Sequence, residues 1–270
     1  MSKKKTDIIS TNYSESRLTT RLKLAYQWLD GKYECLLDGG CSHGYGTRFF
    51  AQKAQETYGI DVDKESVEIA NSRYPGINFK CAPLENTGFP DEFFDAIVIT
   101  DVLEHTNDKI QSLSEMNRIL KNQGTMIITT PHKGLFEFLD PYNYGYYLKK
   151  FMPSIYKSLF RFIRRLKNDK LNIDYNPAHL KKHFHYSESD LIAMLDNSLF
   201  KDNYEIEKIL KSGLFLEVFA MNIESILNII FKKNITAILI KPFFWLGTIE
   251  YWIKFGFLSY NIAMKIRRTL

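Results

Sequence analysis

The most reactive side chains of this 270-residue chain stand directly after apolar runs. Asp101, Glu104 and His105 follow one run, and His132 closes another. An imidazole changes its protonation near neutral pH, so His105 is the first candidate for a general base and His132 the second, with Asp101 beside them. A histidine at such a place can equally have only a structural role.

A glycine-rich turn lies upstream of these residues and indicates a nucleotide-binding element. The apolar residues 35–37 predict a buried strand, Asp38 follows it, and a segment that can be helical begins at Thr47. Four glycines lie between them: Gly39, Gly40, Gly44 and Gly46. Glycine allows positive φ and a close approach of a ligand, and the start of a helix offers free N–H groups. The spacing fits neither the dinucleotide fingerprint nor a phosphate-binding loop. An ordinary strand–helix connection is the alternative.

A second predicted strand, residues 57–61, also ends in an acid. Asp61 lies roughly 20 residues beyond the turn, the separation at which a βαβ unit brings the second strand end beside the first. A carboxylate at that place can accept hydrogen bonds from both hydroxyls of a ribose, although a surface acid at a strand end is the plainer alternative. Asp63 is expected to cap the helix that starts at Lys64.

These motifs resemble those of class I S-adenosylmethionine (SAM) methyltransferases of the type 11 and type 23 kind. The stretch around the glycines is similar to the family's first motif, with Ser42 or His43 in place of a usual glycine. Gly59-Ile60-Asp61 looks like its ribose-binding motif, and residues 89–100 and 125–132 look like the passages into its fourth and fifth strands. The resemblance implies that SAM is bound by Asp38, Gly40, Gly44, Gly46, Asp61, Asp101 and the backbone near Leu84.

The segment Asp101-x-x-Glu104-His105 carries a second resemblance. It is similar to the metal-binding D/E-x-x-E-H motif of ubiquinone-pathway O-methyltransferases and of small-RNA 2′-O-methyltransferases. That likeness implies a divalent metal held by these three residues. The same pentapeptide is also common in relatives without a metal. SAM is therefore the expected cofactor, and the metal remains the less favoured option.

The predicted fold is α/β, because five apolar strands alternate with helices. The resemblance covers about residues 34–220 and implies a doubly wound, seven-stranded Rossmann-like sheet with an antiparallel last strand. A helix is predicted within the N-terminal segment 1–33. An aromatic and basic insertion at about 134–180 is predicted to form a cap over the acceptor. Residues 204–210 and 214–219 flank Ser212-Gly213, a pattern that predicts a hairpin.

The tail, residues 221–270, is expected to form amphipathic helices. Short apolar segments alternate there with lysines and arginines, and they carry the aromatic residues Trp245, Tyr251, Trp252 and Tyr260. Such segments suit a membrane interface, whereas packing on the domain or in a homodimer is the alternative. No uncharged apolar run approaches the ~20 residues of a membrane span.

Composition narrows the function. The chain has a net charge of +5, and its cationic residues are interleaved with apolar residues. This pattern argues against nucleic acid as a partner. Three cysteines without framework spacing and the absence of an apolar leader indicate a cytoplasmic protein, at the inner face of the cell membrane if the tail binds there.

The predicted function is SAM-dependent O-methylation of a lipid-linked or cell-surface sugar. The run Pro131–Phe136 with Leu139–Pro141 looks like methyltransferases encoded with surface-polysaccharide enzymes. An isoprenoid, quinone or small-molecule hydroxyl is an alternative acceptor. From another class, a non-catalytic membrane-associated module that keeps the SAM fold is the rival.

Overall fold

Continuous apolar runs form the centre of a single β-sheet. The computed structural model describes residues 18, 20–166, 183–214, 216, 219–220, 222–224, 227 and 233–269. Seven strands are paired in the order β3-β2-β1-β4-β5-β7-β6. They are β1 (Tyr33–Gly39), β2 (Ala54–Asp61), β3 (Asn78–Cys81), β4 (Phe94–Thr100), β5 (Leu120–Pro131), β6 (Tyr204–Ser212) and β7 (Asn261–Arg268). The predicted seven-stranded, doubly wound sheet is therefore confirmed.

Helices connect the strands, as the apolar periodicity predicts. Asp63 and Ser187 cap the helices that follow them, and Ser187 forms a reciprocal capping box with Asp190. The helices are α1 (Thr20–Trp28), α2 (Thr47–Phe50), α3 (Lys64–Arg73), α4 (Lys109–Ile119), α5 (Pro141–Phe151), α6 (Pro153–Leu166), α7 (Glu188–Asp196) and α8 (Lys233–Glu250).

Strand register brings the acids at the strand ends to one edge of the sheet. β1 pairs in parallel with β2 and β4, and Gly39 lies opposite both Ile60 and Ile99. The residues at the carboxyl ends of these three strands are therefore neighbours, as expected for a ligand site in a parallel α/β sheet.

Alternate residues of the strands build two cores, one on each face of the sheet. Leu36 packs with Ala25 of α1 and with Leu29, which directly follows that helix. Leu37 faces the larger cluster, which includes Met116 of α4 and Leu191 of α7. All six side chains are buried. Burying a side chain of this size contributes about 1.5–3 kcal/mol, so both faces hold the strand ends in place.

The predicted hairpin at residues 204–219 is wrong. β6 ends at Ser212, and the described residues Leu216, Phe219 and Ala220 are helical. The neighbour of β6 is β7, whose residues 261–266 are buried. The predicted domain end at 220 therefore omits a strand, and the tail is not helical throughout. In β7 the cationic residues belong to a strand rather than to the edge of an interfacial helix.

The cations of β7 form ion pairs within the sheet. Lys265 is 1% exposed, and its Nζ lies 2.8 Å from Asp30 and 2.9 Å from Glu207. Burial lowers the pKa of Lys265, but its hydrogen bonds to Asp30 and Glu207 outweigh that effect and raise the pKa. Arg267 also pairs with Glu207. The sequence predicts that the cations of the tail lie at a membrane interface, but Lys265 is buried in the core of the fold.

Replacing Lys265 with methionine is expected to lower the free energy of unfolding by about 2–3 kcal/mol, because the half-buried Glu207 loses a charged partner. Lys208→Met is the matched control, since its half-exposed ammonium lies 3.8 Å from Asp30 and is worth about 0–1 kcal/mol. Urea denaturation followed by circular dichroism measures both variants. Equal losses in the two variants would contradict this assignment.

The described chain divides into two compact units. The first extends to Pro131 and includes Tyr186–Leu210 and the residues from Ile262 onward, and the second comprises His132–His185 and Lys211–Asn261. The predicted cap insertion and most of the predicted tail thus belong to one unit. Within it, the His132 N–H donates to the Tyr260 carbonyl at 2.7 Å and the Leu135 N–H to the Phe257 carbonyl at 3.1 Å.

Candidate active site

The glycine turn after β1 is held in a conformation that few residues other than glycine adopt. Gly40 has a φ of +80°, and a Cβ there would collide with the side chain of Val102. Ser42 and Asp101 also have positive φ, at 46° and 53°. Such backbone is costly for residues other than glycine and concentrates at functional sites. Three left-handed residues at one edge of the sheet mark it as a candidate site.

Asp61 is fixed by backbone donors on both carboxylate oxygens. The Ser42 N–H donates to Oδ2 at 2.9 Å, and the Asp63 N–H donates to Oδ1 at 2.9 Å. The first bond ties the end of β2 to the glycine turn. A carboxylate oxygen accepts more than one hydrogen bond, so Asp61 retains the capacity to accept from ribose hydroxyls.

Asp38 is a buried carboxylate within the turn. It is 3% exposed, and Thr47 donates its Oγ1–H to Asp38 Oδ2 at 2.6 Å. Burial raises the pKa of Asp38 to about 7; the charge of Asp61 adds to the rise, and the Thr47 bond opposes it. A cation beside Asp38 would favour the ionised form, so the site is suited to a positively charged ligand.

Asp101 lies after β4 and pairs with Arg21 of α1. Its Oδ1 also accepts from Thr129 Oγ1 at 3.2 Å. The pair joins the first turn of α1 to the end of the sheet. The sequence predicts α1 as a packing helix, and it does pack, but its first turn contributes to the site as well.

A cavity of about 320 Å³ lies between the glycine turn and the first turn of α1. This volume is at the lower end of small-molecule sites, roughly 300–1,000 Å³. The predicted residues Asp38, Gly40, Gly46 and Asp101 line it. Its other walls come from Thr20, Arg21, Leu22, Cys41, Ser42, His43, Tyr45 and Thr100.

The residues around the cavity fit SAM. Gly40 leaves room for a close approach, the backbone-fixed Asp61 carboxylate adjoins the wall through Ser42, and buried Asp38 favours a cation. Asp61 would hold the ribose hydroxyls, and Asp38 would face the positive charge of the methionine end. These assignments rest on the donors, acceptors and charges of the wall.

Three of the predicted cofactor residues have packing roles. A Cβ on Gly44, whose φ is +76°, would crowd the Phe79 ring, and a Cβ on Gly46 would crowd Leu22 of α1. Leu84 is 4% exposed, and its side chain packs beneath Gly39. Gly44 and Leu84 thus shape the turn from behind, and Gly46 both packs against α1 and lines the cavity.

The candidate bases occupy different environments. His105 is exposed in a short 3₁₀ turn, Leu103–His105, after β4. His132 is buried in the second unit, and its Nδ1 lies 3.0 Å from the Ser259 carbonyl oxygen. A carbonyl can only accept, so the proton of His132 resides on Nδ1.

The geometry gives little support to a metal ion held by Asp101, Glu104 and His105 at the end of β4. Glu104 is buried and accepts from Thr130 Oγ1 at 3.1 Å. Burial, with the charge of Asp101, raises its pKa, which favours the protonated acid over a ligating carboxylate. Among the described residues, Asp101 belongs to no group of ligand atoms close enough to share an ion.

Sequence reasoning missed two contributors to the site. Thr47 is the hydroxyl partner of Asp38, and its position directly after Gly46 at the start of α2 is a local signal. Arg21 reaches Asp101 from 80 positions away in the sequence, and no local pattern distinguishes it from Lys23, the other cation of α1.

Sequence comparisons identify the central part of the chain. Residues 37–128 match the model of a methyltransferase domain. A Mycolicibacterium smegmatis protein, named as a probable S-adenosylmethionine-dependent methyltransferase, is 33% identical over 101 residues, 37% of this chain and 39% of that protein. A ubiquinone/menaquinone biosynthesis C-methyltransferase of Geotalea daltonii is 39% identical over 106 residues, 36% of this chain and 43% of that protein. The matches thus span about two fifths of these relatives.

A structural comparison supports the same fold. Geranyl diphosphate C-methyltransferase from Streptomyces coelicolor, solved with Mg²⁺, geranyl diphosphate and S-adenosyl-L-homocysteine, aligns with a TM-score of 0.55 at 14% identity, over 93% of this chain and 77% of that chain. At this identity the likeness shows the fold alone. Residues 37–128 are thus similar to a methyltransferase domain, and the chain has the fold of a solved methyltransferase.

Proposed function

We propose that the chain transfers a methyl group from SAM to an acceptor at a membrane surface. The observation that carries the enzymatic part is the cavity at the carboxyl edge of β1 and β4, where buried Asp38 and the Arg21–Asp101 pair meet the glycine turn. A positively charged nucleotide-like ligand suits that combination of charges. The methyltransferase domain matched over residues 37–128 supports the choice of SAM.

The chain's own residues bind, orient and accept a proton in this proposal. SAM, when bound, supplies a methyl group that its sulfonium charge has already activated. Asp61 holds the ribose, and Asp38 offsets positive charge in a buried setting where electrostatic effects are strong. His105, exposed after β4, is the proposed acceptor of the proton that a hydroxyl must lose.

The exposed apolar side chains of the second unit support the proposed membrane surface. Among the described residues, the exposed large hydrophobic side chains belong to this unit except Val62 and Leu199. On α8 they form one stripe at helical spacing: Ile235, Ile238, Leu239, Trp245, Leu246 and Ile249. No described helix is both long and apolar enough to span a bilayer.

Exposed cations accompany the apolar side chains of this unit and favour an anionic surface. Lys157 and Arg161 of α6, Lys241 of α8 and Lys254 after it are exposed. A helix with an apolar stripe and nearby cations lies in the interface plane of a membrane, and each cation near an anionic surface contributes about 1 kcal/mol. We therefore propose that the exposed apolar and cationic side chains of the second unit contact an anionic bilayer.

The liposome prediction follows from the α8 stripe. The triple variant Ile238→Ser, Trp245→Ser, Ile249→Ser should lose at least ~10-fold of its partitioning onto phosphatidylglycerol vesicles, because each change removes exposed apolar surface that would enter the interface. The control pair Val62→Ser, Leu199→Ser removes comparably exposed side chains from the first unit and should sediment like the parent. Equal sedimentation of both variants would overturn the assignment.

The methylated atom distinguishes two candidates. We favour an oxygen of a lipid-linked or cell-surface sugar, with an isoprenoid or small-molecule hydroxyl as the nearest alternative, because His105 provides a base that a hydroxyl requires. A carbon of a quinone-type acceptor is the second candidate, favoured by the relation to a ubiquinone/menaquinone C-methyltransferase.

One experiment separates these outcomes. Purified protein is incubated with methyl-labelled SAM and a membrane extract, the products are partitioned between organic and aqueous phases, and the labelled fraction is heated with hydriodic acid. Label in the organic phase that leaves as volatile methyl iodide supports a lipid-linked methyl ether. Non-volatile label indicates carbon methylation, and label in the aqueous phase opposes the membrane acceptor. SAM binding without any transfer would favour the non-catalytic module.

A further inference from the structure

A cluster of one carboxylate and two imidazoles lies within the second unit, outside the cofactor cavity. The Asp140 side chain is fully buried, and those of His183 and His185 are 12% and 4% exposed. His183 Nδ1 lies 2.6 Å from Asp140 Oδ2, and His185 Nε2 lies 2.8 Å from the same oxygen. One ligand atom from each residue lies within 4.8 Å of the others.

Hydrogen-bond accounting shows that a proton or a metal cation must lie between His185 and Asp140. His185 Nδ1 lies 3.1 Å from the carbonyl oxygen of His132, which can only accept, so Nδ1 carries a proton. In the neutral imidazole, Nε2 then presents a lone pair to the Asp140 carboxylate. Two acceptors do not remain 2.8 Å apart in a buried place unless a proton or a metal cation lies between them.

The surroundings of the cluster resemble the outer shell of a metal site. A ligating histidine usually donates its second ring nitrogen to a carbonyl or carboxylate, as His185 does to His132. Asn143 fixes the backbone of His183 with two bonds: its Oδ1 accepts from the His183 N–H at 2.9 Å, and its Nδ2 donates to the His183 carbonyl at 3.0 Å. The His185 ring also packs edge-on against Tyr260.

We propose that Asp140, His183 and His185 bind a divalent transition-metal ion of the Zn²⁺ class. Two imidazoles and one carboxylate suit Zn²⁺, Fe²⁺ and Co²⁺, and three protein ligands leave a position open for water or a substrate oxygen. Ligands about 2.1 Å from one ion lie about 3 Å from each other in octahedral geometry, so small outward shifts of the observed atoms would admit the ion.

The test uses the untagged full-length protein, freed of metal by a chelator and titrated with Co²⁺. One equivalent per chain should bind and give visible ligand-field absorption, and Zn²⁺ should abolish that absorption. Asp140→Asn, His183→Gln and His185→Gln should each weaken Co²⁺ binding at least ~100-fold, since even outer-shell partners are worth 10–100-fold. His43→Gln, on the exposed glycine turn of the first unit, should retain the parent spectrum.

Two results would overturn the proposal. The parent protein could bind no Co²⁺ up to millimolar concentration, in which case a proton bridges His185 and Asp140. Alternatively, variants that remain folded by circular dichroism could bind Co²⁺ as the parent does, which would place the ion elsewhere. Titration of the parent protein shows whether a metal ion binds at all, even if every variant fails to fold.

Discussion

Asp61→Asn is expected to weaken the binding of SAM or S-adenosyl-L-homocysteine on the order of 100-fold. The Asp61 carboxylate is held by the N–H groups of Ser42 and Asp63, and in the proposed site its oxygens accept from the ribose hydroxyls. Hydrogen bonds to a charged group contribute about 1.5–3 kcal/mol each, and a tenfold change in affinity corresponds to 1.4 kcal/mol. Isothermal titration calorimetry measures the loss.

Asp95→Asn is the matched control for this substitution. Asp95 also accepts two backbone N–H groups, from Glu34 at 3.1 Å and Cys35 at 2.8 Å, but it lies in the first half of β4, away from the cavity-lining end. Its substitution disturbs the same kind of bond and should leave affinity within about twofold. Equal weakening in both variants would mean that strand-end bonding, rather than ligand contact, explains the effect of Asp61.

The affinity for SAM is expected to fall as the pH drops below about 7. Burial raises the pKa of Asp38 to about 7 in the free protein, and a bound cation would lower it. Above pH 7 the carboxylate is ionised with or without ligand, so affinity is constant. Below pH 7 binding must release the proton of Asp38, and the dissociation constant rises by up to about tenfold per pH unit.

Asp38→Asn isolates this contribution, because it removes the titrating group and keeps the size of the side chain. The variant should bind more weakly at pH 8, and its affinity should be nearly constant between pH 5 and 8. Titrations of the two proteins in matched buffers make the comparison. A parent protein without pH dependence, or a variant that retains it, would show that Asp38 does not face the ligand's charge.

Local chemistry made much of the fold predictable. A short polar side chain before a helix satisfies its free N–H groups, which predicts Asp63 as a cap, and the structure has this capping interaction. Asp61 was predicted beside the glycine turn because a parallel βαβ unit of that length brings the strand ends together. Its bond to Ser42 confirms this neighbourhood. Its ribose contact stays a prediction.

Contacts between distant parts of the chain were not predictable in the same way. β7 follows β6 in the sequence only after α8, so the pattern of apolar residues around Lys265 predicts an interfacial segment rather than a strand. The partner of Lys265, Asp30, lies 235 residues away. Likewise Asp140 meets His183 and His185 across 43 and 45 positions, and each residue by itself has an ordinary setting in the sequence.

The central claim is that the cavity beside the glycine turn binds SAM. A crystal structure of the protein soaked with S-adenosyl-L-homocysteine tests it most directly. We predict density between the glycine turn and the first turn of α1, with the ribose hydroxyls on Asp61 and the methionine end near Asp38. Density at any other place, or an empty cavity at a saturating ligand concentration, would contradict the account.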